Sequence, residues 1–223
     1  MPMLTPVLLV ALGYLVGSVP FGYLLVRTRR KVDVRDYGSH NVGAINVFRV
    51  GGVRLGILTL VADIGKAAGV VLLASAVTDS PWSISLAAFS VMMGHAYSAW
   101  LFLRERRFSE GKSVACALGV LTALACIGQL PWQAPALPFA VWVAGLLGPR
   151  LLTGRWAQIS LATMTATVTV PIVVWLVRPP TAYLALSLAM AALILVRHRN
   201  NIRRLLAGKE PRLGEASPQR PGS

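Results

Sequence analysis

Residues 54–77 read RLGILTLVADIGKAAGVVLLASAV. After Arg54 the run carries only two ionisable groups, Asp63 and Lys66, three residues apart. About 20 apolar residues, each rising about 1.5 Å, cover the ~30 Å hydrocarbon core of a bilayer. With no water in that core, the backbone must pair with itself, so such a run forms a helix. A transmembrane strand would alternate apolar and polar side chains, and this run does not. Asp63 and Lys66 share one helix face. There they can form a self-compensating pair that turns inward, or line a proton or substrate path.

Outward from this run the same pattern recurs at 4–26, 82–102, 113–130, 135–149, 157–177 and 180–197. The fifth of the seven spans is short and flanked by prolines. Composition agrees: 55% of the 223 residues are hydrophobic and 13% charged, and mean hydropathy is +0.63. A soluble domain is about 25% charged, so this chain has too little polar surface to cover a globule in water. Lys and Arg number 22 against 8 Asp and Glu, a net charge of +14. These charges lie in short clusters between apolar runs, which points to loops facing anionic headgroups and not to nucleic acid. Cys116 and Cys126 fall inside one apolar run, so neither a disulfide framework nor a zinc site is indicated.

Nothing basic precedes the first run, no small-residue cleavage site interrupts it, and Arg27, Arg29, Arg30 and Lys31 follow it. It reads as an anchor and not as a secretory signal peptide. Lys and Arg then alternate. The connections 27–54, 103–112, 150–156 and 197–223 carry seven, four, two and seven, while those between carry one in total. The positive-inside rule predicts an N-out, C-in topology for an all-α, polytopic seven-helix bundle. Residues 1–210 are expected to form one membrane domain, and the Pro-, Gly-, Ser- and Arg-containing tail 211–223 to be disordered on the cytoplasmic side.

Three stretches predicted on that side carry the chemistry, and His40, His95 and His198 all lie in or beside them. The first runs from Tyr37 through Gly38, Ser39, His40, Asn41, Gly43 and Asn46 to Arg49. Glycines among Ser and Asn let backbone amides approach an anion, and Arg49 can grip a phosphate bidentately. A plain Gly-rich turn would share that composition. The second holds Gly94-His95 and Phe108-Ser109-Glu110-Gly111-Lys112-Ser113. It is not a P-loop, because Arg106 stands where the upstream glycine belongs. Lys112 and backbone amides at a helix start remain, and that end of a helix favours an anion. The third, from His198 to Glu210, sets Ile202, Leu205 and Leu206 on one helical face and Arg199 and Arg203 on another. Alone it reads as a basic membrane-surface helix.

Together these stretches resemble the bacterial acyl-phosphate:glycerol-3-phosphate acyltransferases, small integral-membrane enzymes. The resemblance starts at Gly13-Tyr14-Leu15-Val16-Gly17-Ser18-Val19-Pro20-Phe21-Gly22. It continues through Gly38-Ser39-x-Asn41-x-Gly43-Ala44-x-Asn46-x-x-Arg49, Asp63-x-x-Lys66, Gly94-His95 and Gly111-Lys112. It ends at His198-Arg199-x-Asn201-Ile202-x-Arg204-Leu205-x-x-Gly208-x-Glu210. Six ordered motifs cover essentially the whole chain. It departs from the family pattern at His40 and at Ile45. It departs again in Phe108-Ser109-Glu110-Gly111-Lys112-Ser113, where the pattern is Phe-x-Gly-Gly-Lys-Gly, and it lacks the proline expected after Gly94-His95.

The resemblance implies transfer of an acyl chain from acyl phosphate to the 1-hydroxyl of glycerol 3-phosphate, at the cytoplasmic side of the cell (inner) membrane. It implies no cofactor and no metal, with membrane lipids around a monomer. Ser39, His95, Asn201 and Glu210 are then the catalytic candidates. Gly38, Asn41, Gly43, Asn46, Arg49, Gly111, Lys112 and His198 are the candidates for binding phosphate. In this scheme Glu210 braces the site, and His95 or a substrate phosphate takes the proton. A Ser39 nucleophile would need a G-x-S-x-G elbow, and none surrounds it. Three other readings stay open: a homologue inactive or acting on another phosphorylated acceptor (from Glu110 and Ser113), a transporter using Asp63 and Lys66, and a structural subunit. The inverted repeats common in transporters are not evident.

Overall fold

The computed structural model describes residues 4–106, 111–154 and 157–212. Among these residues the chain is helical, with a short 3-10 turn at Val34–Asp36 and no strand. Helices α1 (Leu4–Ser18) and α2 (Phe21–Arg30) form one apolar span, and a short α3 (Ala44–Gly51) leads into α4 (Val53–Val77). Helices α5 (Pro81–Ala96) and α6 (Ala99–Glu105) form a second broken span. The remainder is α7 (Val114–Cys126), α8 (Gln133–Thr153), α9 (Ile159–Leu176), α10 (Thr181–Arg197) and α11 (Arg199–Leu206).

Five segments are long and apolar enough to cross a membrane, or six if α10 and α11, bent by 59°, count as one. The expected span 113–130 is shorter in the structure. Its 13 residues (Val114–Cys126) reach roughly 20 Å at 1.5 Å each. The helix stops because Gly128 turns left-handed (φ +73°). The amides of Gln129 and Leu130 then fold back onto the Leu124 carbonyl.

Helix α4 inverts the arrangement of a soluble helix. Its leucines, isoleucines and valines at 57, 58, 61, 72 and 73 are exposed, whereas Thr59, Asp63 and Lys66 are buried. Lipid solvates the first set and the bundle the second. The buried core joins α4, α5, α7 and α10 through Val71, Val91, Met92, Val120, Leu124 and Met190. Helix α1 crosses α5 at glycine: a Cβ on Gly17 would overlap the Val91 carbonyl, and one on Gly94 the Tyr14 carbonyl. Small residues let two backbones meet where apolar burial alone supplies no drive.

The expected continuous first span is broken. Pro20 has no N–H and cannot extend α1, and α5 breaks likewise at Tyr97–Ser98. The two breaks satisfy each other: Tyr14 OH donates to the Tyr97 carbonyl (2.8 Å) and Ser98 Oγ to the Ser18 carbonyl. Such backbone is tolerated at this depth only when protein partners replace the missing bonds.

Candidate active site

Residues 37–49 fold around one side chain. Asn46 is 1% exposed. Its Nδ2 donates to the carbonyls of Val34 (2.9 Å), Tyr37 (3.1 Å) and Asn41 (2.8 Å), and its Oδ1 accepts from the Ser39 amide (2.8 Å). Gly38 sits at φ +61°, where a Cβ would strike that Oδ1. Asn41 Oδ1 accepts from the Gly43 amide (2.6 Å), just before α3 begins. Asn46 and Asn41 therefore build the loop, which presents Ser39 and Arg49 to a cavity. Burial lowers the Arg49 pKa, and the Glu210 carboxylate works against this.

The opposite wall comes from the chain's last described residues. Glu210 Oε1 accepts from Ser160 Oγ (2.7 Å) and Asn201 Nδ2 (2.6 Å), and Oε2 from Arg204 Nε (2.7 Å). Asn201 Oδ1 in turn accepts from Lys112 Nζ (2.7 Å). Burial acts to raise the Glu210 pKa, but the bonds from Arg204, Ser160 and Asn201 outweigh it, and the pKa is lowered. His198 donates Nδ1–H to the Ile194 carbonyl (2.8 Å), so in the neutral ring Nε2 is the acceptor.

Between these walls lies His95, buried, with Nδ1 3.0 Å from Lys66 Nζ. Gly111 rests on the ring: a Cβ there would strike the His95 carbonyl and the Cδ2–Nε2 edge. The Gly111 carbonyl accepts from Arg197 Nε (3.1 Å). Asp63, His95 and Cys116 place three metal-ligand atoms within 4.8 Å of one another, which no sequence spacing suggested. The Lys66 ammonium, 2.8 Å from Asp63 Oδ1, already supplies the positive charge there.

The cavity measures about 380 Å³ and is lined by Gly38, Ser39, Asn41, Gly43, Asn46, Arg49, His95, Lys112, His198, Asn201 and Glu210. Of the residues expected at the site, Gly111 alone is not on that wall; its backbone packs against the His95 ring instead. The sequence reading did not single out Ser160, and it gave Asp63 as half of an inward-facing pair or path with Lys66 and not among the catalytic or phosphate-binding candidates. A serine at the start of an apolar run carries no signal of its own. The polar end continues into an apolar slot between α7, α8 and α9, walled by Leu118, Leu121, Phe139, Trp142 and Val170. Trp142 stacks on Phe139 and donates Nε1–H to Thr163 Oγ1 (3.2 Å).

Two departures from the family pattern have a backbone signature. His40 (φ +55°) and Ser113 (φ +58°) both occupy the left-handed region that suits glycine. The Ser113 hydroxyl donates to the Met92 carbonyl (2.9 Å). Glu110 lies outside the described residues.

The fold and cavity define a polytopic membrane protein that joins a cationic pocket to an apolar slot. A sequence model of glycerol-3-phosphate acyltransferase matches residues 7–208. A glycerol-3-phosphate acyltransferase of Synechococcus sp. (strain JA-2-3B'a(2-13)) is 40% identical over 98% of this chain and 100% of its own length. One of Caulobacter vibrioides (strain NA1000 / CB15N) is 39% identical over 92% and 87%. The crystal structure of PlsY (YgiH), an integral membrane glycerol 3-phosphate acyltransferase, superposes in its glycerol 3-phosphate form with TM-score 0.80. The two are 34% identical, over 94% of this chain and 96% of that one. The lysophosphatidic acid form gives TM-score 0.76 at 33% identity, over 93% and 94%. The chain belongs to the glycerol-3-phosphate acyltransferase family.

Proposed function

We propose that the protein transfers an acyl group from acyl phosphate to the 1-hydroxyl of glycerol 3-phosphate, giving 1-acyl-glycerol 3-phosphate (lysophosphatidic acid) and phosphate for phospholipid biosynthesis. The observation that carries this is the single cavity joining Arg49 and Lys112 to the apolar slot. An acyl phosphate has that same division, and glycerol 3-phosphate brings a second phosphate to the cationic end. Membership of the family and the likeness to PlsY in both its glycerol 3-phosphate and lysophosphatidic acid forms support the same acceptor and product.

The hydroxyl oxygen attacks the acyl carbon, the bond from that carbon to the phosphate oxygen breaks, and the proton passes to the departing phosphate. A mixed anhydride is already activated, so no acyl-enzyme is needed. Arg49 and Lys112 neutralise phosphate, the Gly38–Gly43 loop offers Ser39 and backbone close to it, and Asn201 and Glu210 hold Lys112 in place. On this reading the membrane is crossed seven times, the short α7 added to the five or six long segments, with the N-terminus outside. The cavity then faces the cytoplasm at the cell (inner) membrane, in a monomer.

The test is phosphate release from a synthetic acyl phosphate by purified protein, with and without glycerol 3-phosphate. Release should require the acceptor and fall at least 100-fold in Arg49→Ala and Lys112→Ala, the order seen when a charge-stabilising donor is removed. No release from folded wild-type protein overturns the reading. Release with another phosphorylated acceptor only would favour the re-specialised homologue, a reading motivated by Glu110 and Ser113.

A further inference from the structure

Lys66 takes no part in the chemistry above, yet its side chain is buried to 3% exposure inside α4. Its ammonium lies 3.0 Å from the Val19 carbonyl, which at the break in the first span also accepts from the Phe21 amide, and 3.0 Å from His95 Nδ1. Asp63 Oδ1 is 2.8 Å away, close enough for an ion pair, although that oxygen accepts no aligned hydrogen bond.

These contacts decide where the His95 proton sits. An ammonium only donates, so the nitrogen it touches must accept. A proton on Nδ1 would set two donors against each other at 3.0 Å. The competing partner for an Nδ1 proton is Asp63 Oδ1, but it stands 3.5 Å from Nδ1, too far for a good bond. In the neutral ring the proton therefore lies on Nε2. Nε2 has no acceptor among the described residues, and His95 lines the cavity beside the segment that presents Lys112.

We infer that Lys66, anchored by Asp63, is a positioning residue that fixes His95 as its Nε2–H tautomer, so that His95 donates to an oxygen of the acyl phosphate and does not take the proton of the attacking hydroxyl. The carbonyl oxygen gains negative charge as the hydroxyl attacks, and the phosphate oxygen gains it as its bond to the acyl carbon breaks, so a fixed donor at either lowers the barrier. The identity of that oxygen rests on the acyl-transfer reading; the tautomer does not.

Selective ¹⁵N labelling of the three histidines reads the ring directly, with His95→Gln assigning the signals. Wild type at neutral pH should show His95 protonated at Nε2 and bare at Nδ1. His95→Gln, whose amide can still donate, should keep activity within about tenfold of wild type, while His95→Ala loses roughly 100- to 1,000-fold. The double variant Asp63→Asn/Lys66→Met replaces both buried charges together and so leaves neither unpaired. It should mix the tautomers and lower kcat by about 10- to 100-fold, as loss of an orienting partner does elsewhere. A proton on Nδ1, a doubly protonated ring in wild type, or a folded double variant with unchanged tautomer and kcat would overturn the assignment. Wild-type protein inactive on acyl phosphate would overturn the acyl-transfer reading instead, while the ring signals still decide the tautomer.

Discussion

Lys112 Nζ donates to Asn201 Oδ1 at 2.7 Å across 89 residues of sequence. Through Asn201 Nδ2 the contact continues to Glu210, which Ser160 and Arg204 also hold. A cation that must meet a phosphate is thus aimed by a chain of polar groups drawn from three segments.

Asn201→Ala removes both bonds at once and leaves Lys112 unaimed. Bonds to charged groups are worth about 1.5–3 kcal/mol, and 1.4 kcal/mol is tenfold. The kcat/KM for glycerol 3-phosphate should therefore fall about 10- to 100-fold, measured by phosphate release. An unchanged value would mean that Lys112 finds its place without this chain.

Glu210 ties stability to pH with a definite sign. Its folded-state pKa is below the ordinary value of 4.5. Its contribution is then fully present above about 4.5 and is lost as pH falls through the lower folded value. The Tm gap between wild type and Glu210→Gln, measured in detergent, should be constant from neutral pH down to about pH 5. It should close below that. A gap that widens on acidification would contradict the lowered pKa.

His40 is strained twice, by its left-handed backbone (φ +55°) and by a buried Nε2 that has no partner among the described residues. Those terms are about 1–2 and 1–3 kcal/mol. Glycine gives up about 0.5–1 kcal/mol of chain entropy, and the His40 Nδ1 bond to the Arg35 carbonyl (2.8 Å) is worth about 1. Relief outweighs loss, so His40→Gly should stabilise by about 1 kcal/mol, seen as a higher Tm.

Gly94→Ala should destabilise by about 1–3 kcal/mol, because its Cβ meets the fixed backbone of α1 at Tyr14 and Ser18. Gly65→Ala is the control: open space surrounds it, and alanine is the better helix former. Thermal unfolding of both variants should move in opposite directions.

Thr167 lines the apolar slot and is 5% exposed. Thr167→Leu shortens the space for an acyl chain. Each methylene denied burial is worth about 0.8 kcal/mol, so displacing two should lower the palmitoyl-to-lauroyl phosphate kcat/KM ratio roughly tenfold. Equal losses for both donors would place the chain elsewhere.

The helical, membrane-embedded class was legible because hydrophobic length is a local property: 54–77 reads as a span and folds as Val53–Val77. The breaks were less so. Pro20 was visible, but whether it kinks or splits a span depends on which partner takes the freed carbonyls, and Ser98 and Lys66 are far away in sequence. Span 113–130 ended early for a similar reason, with Gly128 reversing the chain inside an apolar run.

For the candidate site, residue types in order were enough to assemble the candidates, since Gly, Ser, Asn, His, Lys and Arg between spans have few uses in an apolar chain. Their division of labour was not. Asn46 was expected to contact phosphate, and the structure commits its amide to four backbone groups of the loop. The sequence by itself thus determined that this chain is a helical membrane protein with polar, cationic connections, because apolar run length and charge need no distant partner. Only the tertiary structure decided that Lys66 reaches His95 over 29 residues and Lys112 reaches Asn201 over 89. Hydrogen-bond direction depends on ångström-scale placement of groups brought together by helix packing, and no local pattern encodes that placement.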